Sequence, residues 1–221
     1  MELYLIRHAD MAGDPHRHYA PPVSDCLSDV GCQQAVALAE SLAGVEFSAI
    51  YASPLGRTLQ TAQALAEPRR LDVGAVPWLV EWRPATVTDG IDDTQYERLL
   101  AKSADIRPEQ SWKTEAGEGT LEMAHRIIPG FLRLMAAHGV HAGHGGYLLD
   151  DPNDRQRLAL IGHGGSLGVL ASFLLGVPIR PYAPVAFTQT GVAVFDLVRR
   201  VDVWYTSLRI PAPCGPRVEK P

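Results

Sequence analysis

The chain has 221 residues, of which 46% are hydrophobic and 20% are charged, and its formal net charge is -5 at pH 7. This composition is typical of a globular protein rather than a disordered one, and the length favours a single domain. The negative charge argues against a surface built for nucleic acid or anionic lipid, so any anion would bind in a local pocket.

The cysteines and the N-terminal residues indicate a cytoplasmic protein. Cys26, Cys32 and Cys214 are an odd number without a C-x-x-C pair, so the sequence predicts neither a disulfide framework nor a zinc site. The acidic second residue and the early Arg7 do not fit a signal peptide, and no apolar stretch is long enough to span a bilayer. We therefore expect a cytoplasmic protein that does not enter a membrane.

A strand, a loop and a helix open the chain. Residues 2–6 form a short apolar run without a helical period, which predicts a buried strand that ends at Arg7 and His8. From Ser28 onward, apolar residues recur at helical spacing until Gly44, which predicts an amphipathic helix with a glycine stop. This order of elements is the beginning of an α/β unit.

Two further strands are predicted in the next segment. Residues 48–52 predict a second strand, and Ser53 is expected to cap a helix that carries Arg57 near its N-terminal end. Residues 73–79 predict a third strand, with Glu81 just past its end.

The middle of the chain contains a segment of mixed polarity and a long helix. Residues 82–119 predict an excursion that packs over the active site at the edge of the sheet. Residues 121–138 place apolar side chains on one face and predict the longest helix. Residues 140–156 are rich in Gly, Asp, His and Asn, so we expect an exposed loop insertion there.

The C-terminal part completes the predicted sheet. Residues 157–161 predict a strand that delivers His163 and the glycines after it at its carboxyl end. Two last strands are predicted between residues 192 and 208. A single domain would then cover residues 1–210, followed by a proline-rich tail at residues 211–221.

The alternation of strands and helices favours a three-layer αβα sandwich around a mostly parallel sheet. In such sheets ligands bind beyond the carboxyl ends of the strands. Five candidate side chains follow predicted strand ends, so we expect them to converge although they are far apart in sequence. They are Arg7, His8, Arg57, Glu81 and His163.

The basic candidates match the chemistry of phosphomonoester cleavage. Arg7 and Arg57 offer planar forks that bind phosphate oxygens and stay charged. A neutral imidazole on His8, fixed by a backbone hydrogen bond, would be a competent nucleophile. His163, followed by Gly164 at the start of a helix, is expected to be protonated and to pair with a phosphate oxygen. With this much positive charge, the chemistry requires no metal and no cofactor.

Glu81 is the candidate for the general acid. It is the one carboxylate predicted near the strand ends without a structural role, so it would protonate the leaving oxygen and later accept a proton from water. Asp10, two residues after His8, is its rival, and the sequence leaves this choice open.

Four segments, in order along nearly the whole chain, carry a family resemblance. They are Leu5-Ile6-Arg7-His8-Ala9, Leu27-Ser28-Asp29-Val30-Gly31 with Gln34-Ala35, Ser53-Pro54-Leu55-Gly56-Arg57-Thr58 with Gln60-Thr61-Ala62, and Ile161-Gly162-His163-Gly164-Gly165. Together they resemble the motifs of the histidine phosphatase superfamily, which includes the cofactor-dependent phosphoglycerate mutases. The resemblance implies a phosphoglycerate mutase-like αβα fold and a metal-independent phosphomonoesterase.

The resemblance also implies a role for each candidate side chain. His8 would be the phosphorylated residue and Glu81 the proton donor. The phosphate pocket would consist of Arg7, Arg57 and His163.

One segment departs from the mutases of this family. Residues 9–13 read Ala-Asp-Met-Ala-Gly where the mutases usually have Gly-Glu-Ser and, shortly after, a Trp-Asn pair. This favours hydrolysis of a small phosphorylated metabolite, while a phosphosugar mutase and a pocket that binds phosphorylated ligands without turnover stay as alternatives. An exposed edge strand near Val201 would also allow a homodimer.

Overall fold

The computed structural model describes most of the chain, namely residues 1–12, 25–83, 94–95, 98, 113–115, 117–143, 145–179, 185–200 and 203–209. The first half holds strand β1 (Glu2–Arg7), helix α1 (Asp29–Ser41), strand β2 (Ala49–Ala52), helix α2 (Gly56–Ala66) and strand β3 (Val73–Ala75). The predicted α/β class is confirmed.

The second half continues this alternation. A small hairpin of β4 (Lys113–Thr114) and β5 (Gly117–Glu118) precedes the long helix α3 (Thr120–Ala137). The remaining elements are β6 (Val140–Gly143), β7 (Gly146–Leu149), β8 (Arg157–Gly162), helix α4 (Gly164–Leu175), β9 (Val192–Arg200) and β10 (Val203–Arg209).

Eight of these strands form one sheet in the order β3-β2-β8-β1-β9-β10-β7-β6. The pairs β3/β2, β2/β8 and β8/β1 are parallel, whereas β1/β9 and all later pairs are antiparallel. The sheet is therefore mixed rather than mostly parallel. The physical reason is that strands joined by short hairpin connections, such as β6 with β7, must run in opposite directions.

A hairpin also replaces part of the loop expected at residues 140–156. Strands β6 and β7 pair from Val140↔Leu149 to Gly143↔Gly146. Val140 and Tyr147 are buried in the main core. Because only these two side chains of the hairpin are buried, the Gly- and Asp-rich composition around them concealed it.

The last strand is not the free edge that the sequence predicted near Val201. Strand β10 lies between β9 and β7 and pairs with β7 at Trp204↔Tyr147. The edges of the sheet are β3 and β6, and Val201 itself lies outside the described residues. Because β7 pairs with this side of β10, the strand offers no free edge there for a homodimer.

Helices cover both faces of the sheet. Side chains alternate along β1, so Leu3 and Leu5 join the core beneath α3 and α4, while Tyr4 and Ile6 join the core beneath α1 and α2. A strand that is buried on both faces is apolar on both, which explains the continuous apolar run at residues 3–6. The two cores make the described residues a three-layer αβα sandwich.

Two helix ends agree with the capping signals in the sequence, whereas α1 ends at Ser41, before the predicted glycine stop at Gly44. Ser28 accepts a hydrogen bond from the backbone N–H of Gly31 and begins α1. Gly176 ends α4 in the left-handed conformation, which glycine adopts without strain. The third predicted strand is shorter than expected, because β3 ends at Ala75 and Pro77–Leu79 form a 3-10 turn. No helix in the described ranges is long and apolar enough to cross a bilayer.

Two predicted segments lie mainly outside the described residues. Of the excursion at residues 82–119, only its two ends and three helical residues, Thr94, Gln95 and Arg98, are described. Its placement over the active site therefore stays a prediction. The tail at residues 211–221 lies outside the described ranges, so the predicted domain boundary near residue 210 also stays a prediction.

Candidate active site

The carboxyl ends of neighbouring parallel strands bring the candidate side chains together. Arg7 is the last residue of β1, and His8 follows it. His163 directly follows β8, while Ser53 follows β2 and leads to Arg57 in the first turn of α2. Because these strands run side by side in one direction, the structure assembles the four basic candidates at one edge of the sheet.

The buried ring of His8 is held in one tautomer. Its Nδ1 lies 2.6 Å from the carbonyl oxygen of Ala9. Only a protonated nitrogen can donate to a carbonyl, so Nδ1 carries the proton and Nε2 of the neutral ring carries a lone pair. The ring centroid of His8 is 5.1 Å from that of His163, so the two imidazoles share one site.

The surroundings of His8 keep it uncharged. Burial lowers the pKa of His8 to about 4, and the positive charges of Arg57 and Arg7 act in the same direction. At neutral pH the imidazole is therefore a neutral base with an accessible electron pair on Nε2, which is the state that a nucleophile needs.

His163 is neutral in this structure, contrary to the expectation that it is protonated. Burial, and then the charges of Arg57, His8 and Arg7, lower the pKa of His163 well below its ordinary value. Arg57 Nη2 lies 3.2 Å from Nδ1 of His163 and can only donate, so Nδ1 accepts. The proton on Nε2 is then donated to Ser53 Oγ at 2.9 Å.

Ser53 has a different role from the helix cap that the sequence predicted. Helix α2 begins at Gly56 after Leu55, which makes no side-chain capping bond. The Ser53 hydroxyl is fully buried and instead fixes the ring of His163. A serine at a strand end has the same sequence signature whether it caps the next helix or binds a residue at the end of a neighbouring strand.

Each of the two arginines has a buried Nε–H without a partner among the described residues. Arg7 Nη1 donates to the carbonyl oxygen of Phe187 at 2.6 Å. Arg57 Nη1 forms an ion pair with Asp25. Among the described residues, however, neither Arg7 Nε nor Arg57 Nε has a hydrogen-bond partner, although both atoms are buried. Unsatisfied buried donors on guanidinium groups are costly, and an anion would satisfy them.

Asp25 is a functional neighbour that sequence reasoning missed. Its Oδ1 pairs with Arg57, and its Oδ2 accepts from the backbone N–H of Gly56 at 2.6 Å. It therefore fixes both the start of α2 and the orientation of the guanidinium. Asp25 lies in a segment without periodicity and 32 residues from Arg57, so no local pattern could have identified it.

Glu81 has a structural role that the sequence did not reveal. Its carboxylate accepts from the backbone N–H groups of Gly165 and Ser166, both at 3.2 Å, and of Trp82 at 2.8 Å. It therefore caps the positive N-terminal end of α4. A Cβ atom on Gly165 would come within 2.5 Å of Glu81 Oε1, so glycine is required there for this approach.

A buried ion pair holds the segment around Glu81. Arg126 on α3 binds the carboxylate of Glu118 through Nε at 2.6 Å and Nη2 at 2.8 Å. The same guanidinium donates to the carbonyl oxygens of Trp78, Val80 and Glu81. Glu118 is the acid of the Gly117-Glu118 pair before α3, and this contact explains why a carboxylate is buried there.

Asp10, the rival of Glu81, is occupied by other contacts. Its Oδ2 accepts from Ser28 Oγ at 2.6 Å, and its Oδ1 accepts from Gln189 Nε2 at 2.7 Å. These bonds tie the segment after His8 to the start of α1. Both candidate carboxylates therefore accept hydrogen bonds in this structure, and the choice of Glu81 as the proton donor stays a prediction.

A cavity of about 310 Å³ opens beside the basic cluster. Arg7, Gly164 and Gly165 line its inner end. Gly164 lies against the Arg7 guanidinium, because a Cβ atom on Gly164 would be 3.6 Å from Arg7 Cζ. Trp82 and Gly165, the neighbours of the Glu81 carboxylate, also lie in the wall, so the candidate acid stands at the border of this cavity.

Comparison with known proteins identifies the family. The model of the histidine phosphatase superfamily, branch 1, matches residues 3–204. The chain belongs to this superfamily. The resemblance found in the sequence is thereby confirmed.

Two curated relatives of the chain carry different functional names. A glucosyl-3-phosphoglycerate phosphatase of Mycolicibacterium vanbaalenii is 29% identical, and the alignment covers 94% of this chain and 96% of that protein. A protein of Proteus mirabilis, named probable phosphoglycerate mutase GpmB, is 26% identical over 80% of this chain and 76% of its own length.

Solved structures agree with the fold. A mycobacterial glucosyl-3-phosphoglycerate phosphatase in complex with VO3 superimposes with a TM-score of 0.71 at 23% identity, covering 95% of this chain and 97% of that one. The alpha-ribazole phosphatase of Shigella flexneri gives a TM-score of 0.67 at 22% identity and covers both chains completely. At these identities the likeness establishes the histidine phosphatase fold.

The described residues offer no candidate metal centre, since no three His, Cys, Asp or Glu side chains lie together there. The sequence predicts a mechanism without a metal, and turnover in the presence of EDTA tests this prediction. Cys26 and Cys32 are exposed and unpaired, and Cys214 lies outside the described ranges.

The state of His8 predicts an unusual titration. The ¹³Cε1 signal of His8, identified by its absence in His8→Asn, should keep its neutral position from pH 8 downward and change only near pH 4. Between pH 6.5 and pH 4, His8 binds a proton in the unfolded chain but not in the folded protein. The contribution of His8 to the free energy of unfolding is therefore complete above pH 6.5 and is lost as the pH falls through this window. A midpoint for His8 at or above 6.5 in phosphate-free buffer would contradict the assignment.

Proposed function

We propose that this histidine phosphatase hydrolyses small phosphomonoesters through a phosphohistidine on Nε2 of His8. The observation that supports this most strongly is the neutral His8 ring beside two guanidinium groups, each with a buried and unsatisfied Nε. A nucleophile that is uncharged at neutral pH and anion donors that lack a partner are together what phosphoryl transfer requires.

Substrate binding uses the positive charge of the site. The N–H groups of Arg7 and Arg57 bind the phosphate oxygens, and the new contacts satisfy both Nε atoms. The dianion also offsets the positive charges that lower the pKa of His163, so we propose that His163 gains a proton on Nδ1 when phosphate binds rather than before. Arg57 Nη2 then donates to a phosphate oxygen instead of to that nitrogen. Gly164 lets the phosphate approach the start of α4 closely.

The first chemical step transfers the phosphoryl group. The lone pair of His8 Nε2 attacks phosphorus in line, and the bond to the ester oxygen breaks. The Nδ1–H bond to Ala9 stabilises the positive charge that develops on the ring. Glu81 donates a proton to the leaving oxygen, which avoids release of an unstable alkoxide.

The second step regenerates the enzyme. Water attacks the phosphohistidine, Glu81 accepts a proton from it, and the bond between Nε2 and phosphorus breaks to release inorganic phosphate. The two guanidinium groups neutralise the phosphoryl oxygens in both steps, so the proposed mechanism contains no metal and no cofactor.

Phosphoglycerate-type mutase activity is the second candidate, because relatives such as the Proteus mirabilis protein carry that name. A mutase must keep its phosphohistidine from water and return the group to a second position of the substrate. Residues 9–13 differ from the mutase pattern, which favours hydrolysis. Label that moves between the two hydroxyl positions of phosphoglycerate, faster than phosphate is released, would favour the mutase instead.

Three further predictions rest on the sequence alone. They are a small-molecule substrate rather than nucleic acid, a cytoplasmic location, and a single domain over residues 1–210. Because β10 is not an edge strand, the described residues give no support for the predicted homodimer.

Rapid-quench labelling tests the phosphohistidine. With ³²P-labelled 4-nitrophenyl phosphate and EDTA in the buffer, the protein should acquire an acid-labile and base-stable label. His8→Asn should lose the label and at least roughly 10³-fold in kcat, because the nucleophile is gone. His141→Asn, an exposed histidine far along the chain, is the matched control and should behave like the unmodified protein. Full turnover by His8→Asn would refute the proposal, and loss of turnover in EDTA would refute its metal-free form.

The role of Glu81 predicts a dependence on the leaving group. Glu81→Gln keeps an oxygen that can accept from the α4 N-terminus but has no acidic proton. Turnover of an alkyl phosphate should fall by roughly 10²–10⁴-fold, since its leaving oxygen needs a proton, whereas 4-nitrophenyl phosphate should be much less affected. An equal loss for both esters would indicate that Glu81 only caps the helix, and the acid would have to be sought elsewhere.

A further inference from the structure

The 310 Å³ cavity adjoins the proposed phosphate site and is a natural place for the leaving group of a phosphomonoester. Its wall includes Arg7 and Gly164, which belong to the proposed phosphate site, and Gly165, which lies against Glu81. The volume is at the lower end of the range of small-ligand sites, about 300–1,000 Å³. The chemistry of its wall therefore bears on the substrate class.

Apolar side chains from three parts of the chain form most of this wall. Met123 of α3 and Val169 of α4 are both buried, and Phe187 faces them from the segment before β9. Trp82 closes another side, and its indole N–H donates to the carbonyl oxygen of Glu118 at 2.5 Å. With that N–H bound to the backbone, Trp82 offers the cavity the face or edge of its ring.

In the described part of the cavity wall, the two charged side chains are either paired or required by the phosphoryl group. In the described wall, Arg7 is the only cation, and the phosphoryl group requires it. Glu118 is the only acid, and Arg126 neutralises it through two hydrogen bonds. The side chain of Arg83 is exposed and does not line the cavity. A second anionic group on the substrate would meet no cation in this wall and would lose its hydration.

We propose that the leaving group of the natural substrate is an uncharged, largely apolar alcohol or phenol that occupies this cavity. The proposal rests on the proposed phosphatase function and specifies its substrate class. It separates this chain from relatives whose names include phosphoglycerate, because a carboxylate next to the ester would be placed against Met123, Val169 and Phe187.

An isosteric pair of esters tests the proposal. 4-Isopropylphenyl phosphate and 4-carboxyphenyl phosphate have nearly the same shape, but only the second carries an extra negative charge. The carboxylate makes its phenol the better leaving group, so any preference for the isopropyl ester must come from binding. We expect kcat/KM, measured by phosphate release, to favour the isopropyl ester by at least about tenfold.

A charge added at the mouth of the cavity should reverse this preference. Ala186 lines the cavity and is exposed, so Ala186→Arg supplies the missing cation without disturbing the core. The kcat/KM ratio should shift toward the carboxylate ester by at least about fivefold. Ala186→Met controls for side-chain length, and Val36→Arg, at a position 54% exposed on α1, controls for net charge. Neither control should change the ratio.

The outcomes separate this inference from the function on which it rests. Equal or faster hydrolysis of the carboxylate ester by the unmodified protein would overturn the apolar leaving group and leave the phosphatase intact. An unchanged ratio in Ala186→Arg would place the leaving group outside this cavity and overturn the inference. If neither ester is hydrolysed and His8 takes no label, the phosphatase function fails and the inference fails with it.

Discussion

Two guanidinium groups, that of Arg57 buried and that of Arg7 half-buried, meet two buried imidazoles at the carboxyl edge of the sheet. The properties of the site follow from this crowding of positive and potentially positive groups. Burial beside Arg57 and Arg7 keeps His8 and His163 uncharged. Asp25 is the one carboxylate in the described residues that pairs with either arginine. The cluster therefore retains excess positive charge, and a phosphate dianion both neutralises it and satisfies the unpaired Nε atoms.

A second network of hydrogen bonds holds Glu81 next to the proposed phosphate pocket. The ion pair of Arg126 with Glu118 holds the backbone at Glu81, and the Glu81 carboxylate caps α4 immediately after His163. The N-terminus of α4 is thus shared between a candidate proton donor and the phosphate pocket. The same ion pair neutralises the one acid in the cavity wall, so pairing behind the site also leaves the cavity suited to an uncharged leaving group.

The sequence predicted where the basic side chains lie, but not their protonation states. Arg7, His8, Arg57 and His163 could be placed because each follows a strand or begins a helix, and parallel strands end at a common edge. The neutral His163 and the buried role of Ser53 depend on contacts across 106 and 110 residues, which no local pattern records. Asp25 was missed for the same reason, and the β6-β7 hairpin was missed because only Val140 and Tyr147 of it are buried.

A crystal structure with bound vanadate, a tetrahedral analogue of phosphate, tests the central claim most directly. The account predicts one vanadate whose vanadium atom lies next to His8 Nε2, on the line from this nitrogen to the oxygen that faces Glu81. Other vanadate oxygens should lie within hydrogen-bond distance of both Arg7 Nε and Arg57 Nε. The ester-side oxygen should point toward Glu81 and the cavity lined by Gly164. An anion bound elsewhere, or either guanidinium turned away to solvent in the complex, would contradict the account.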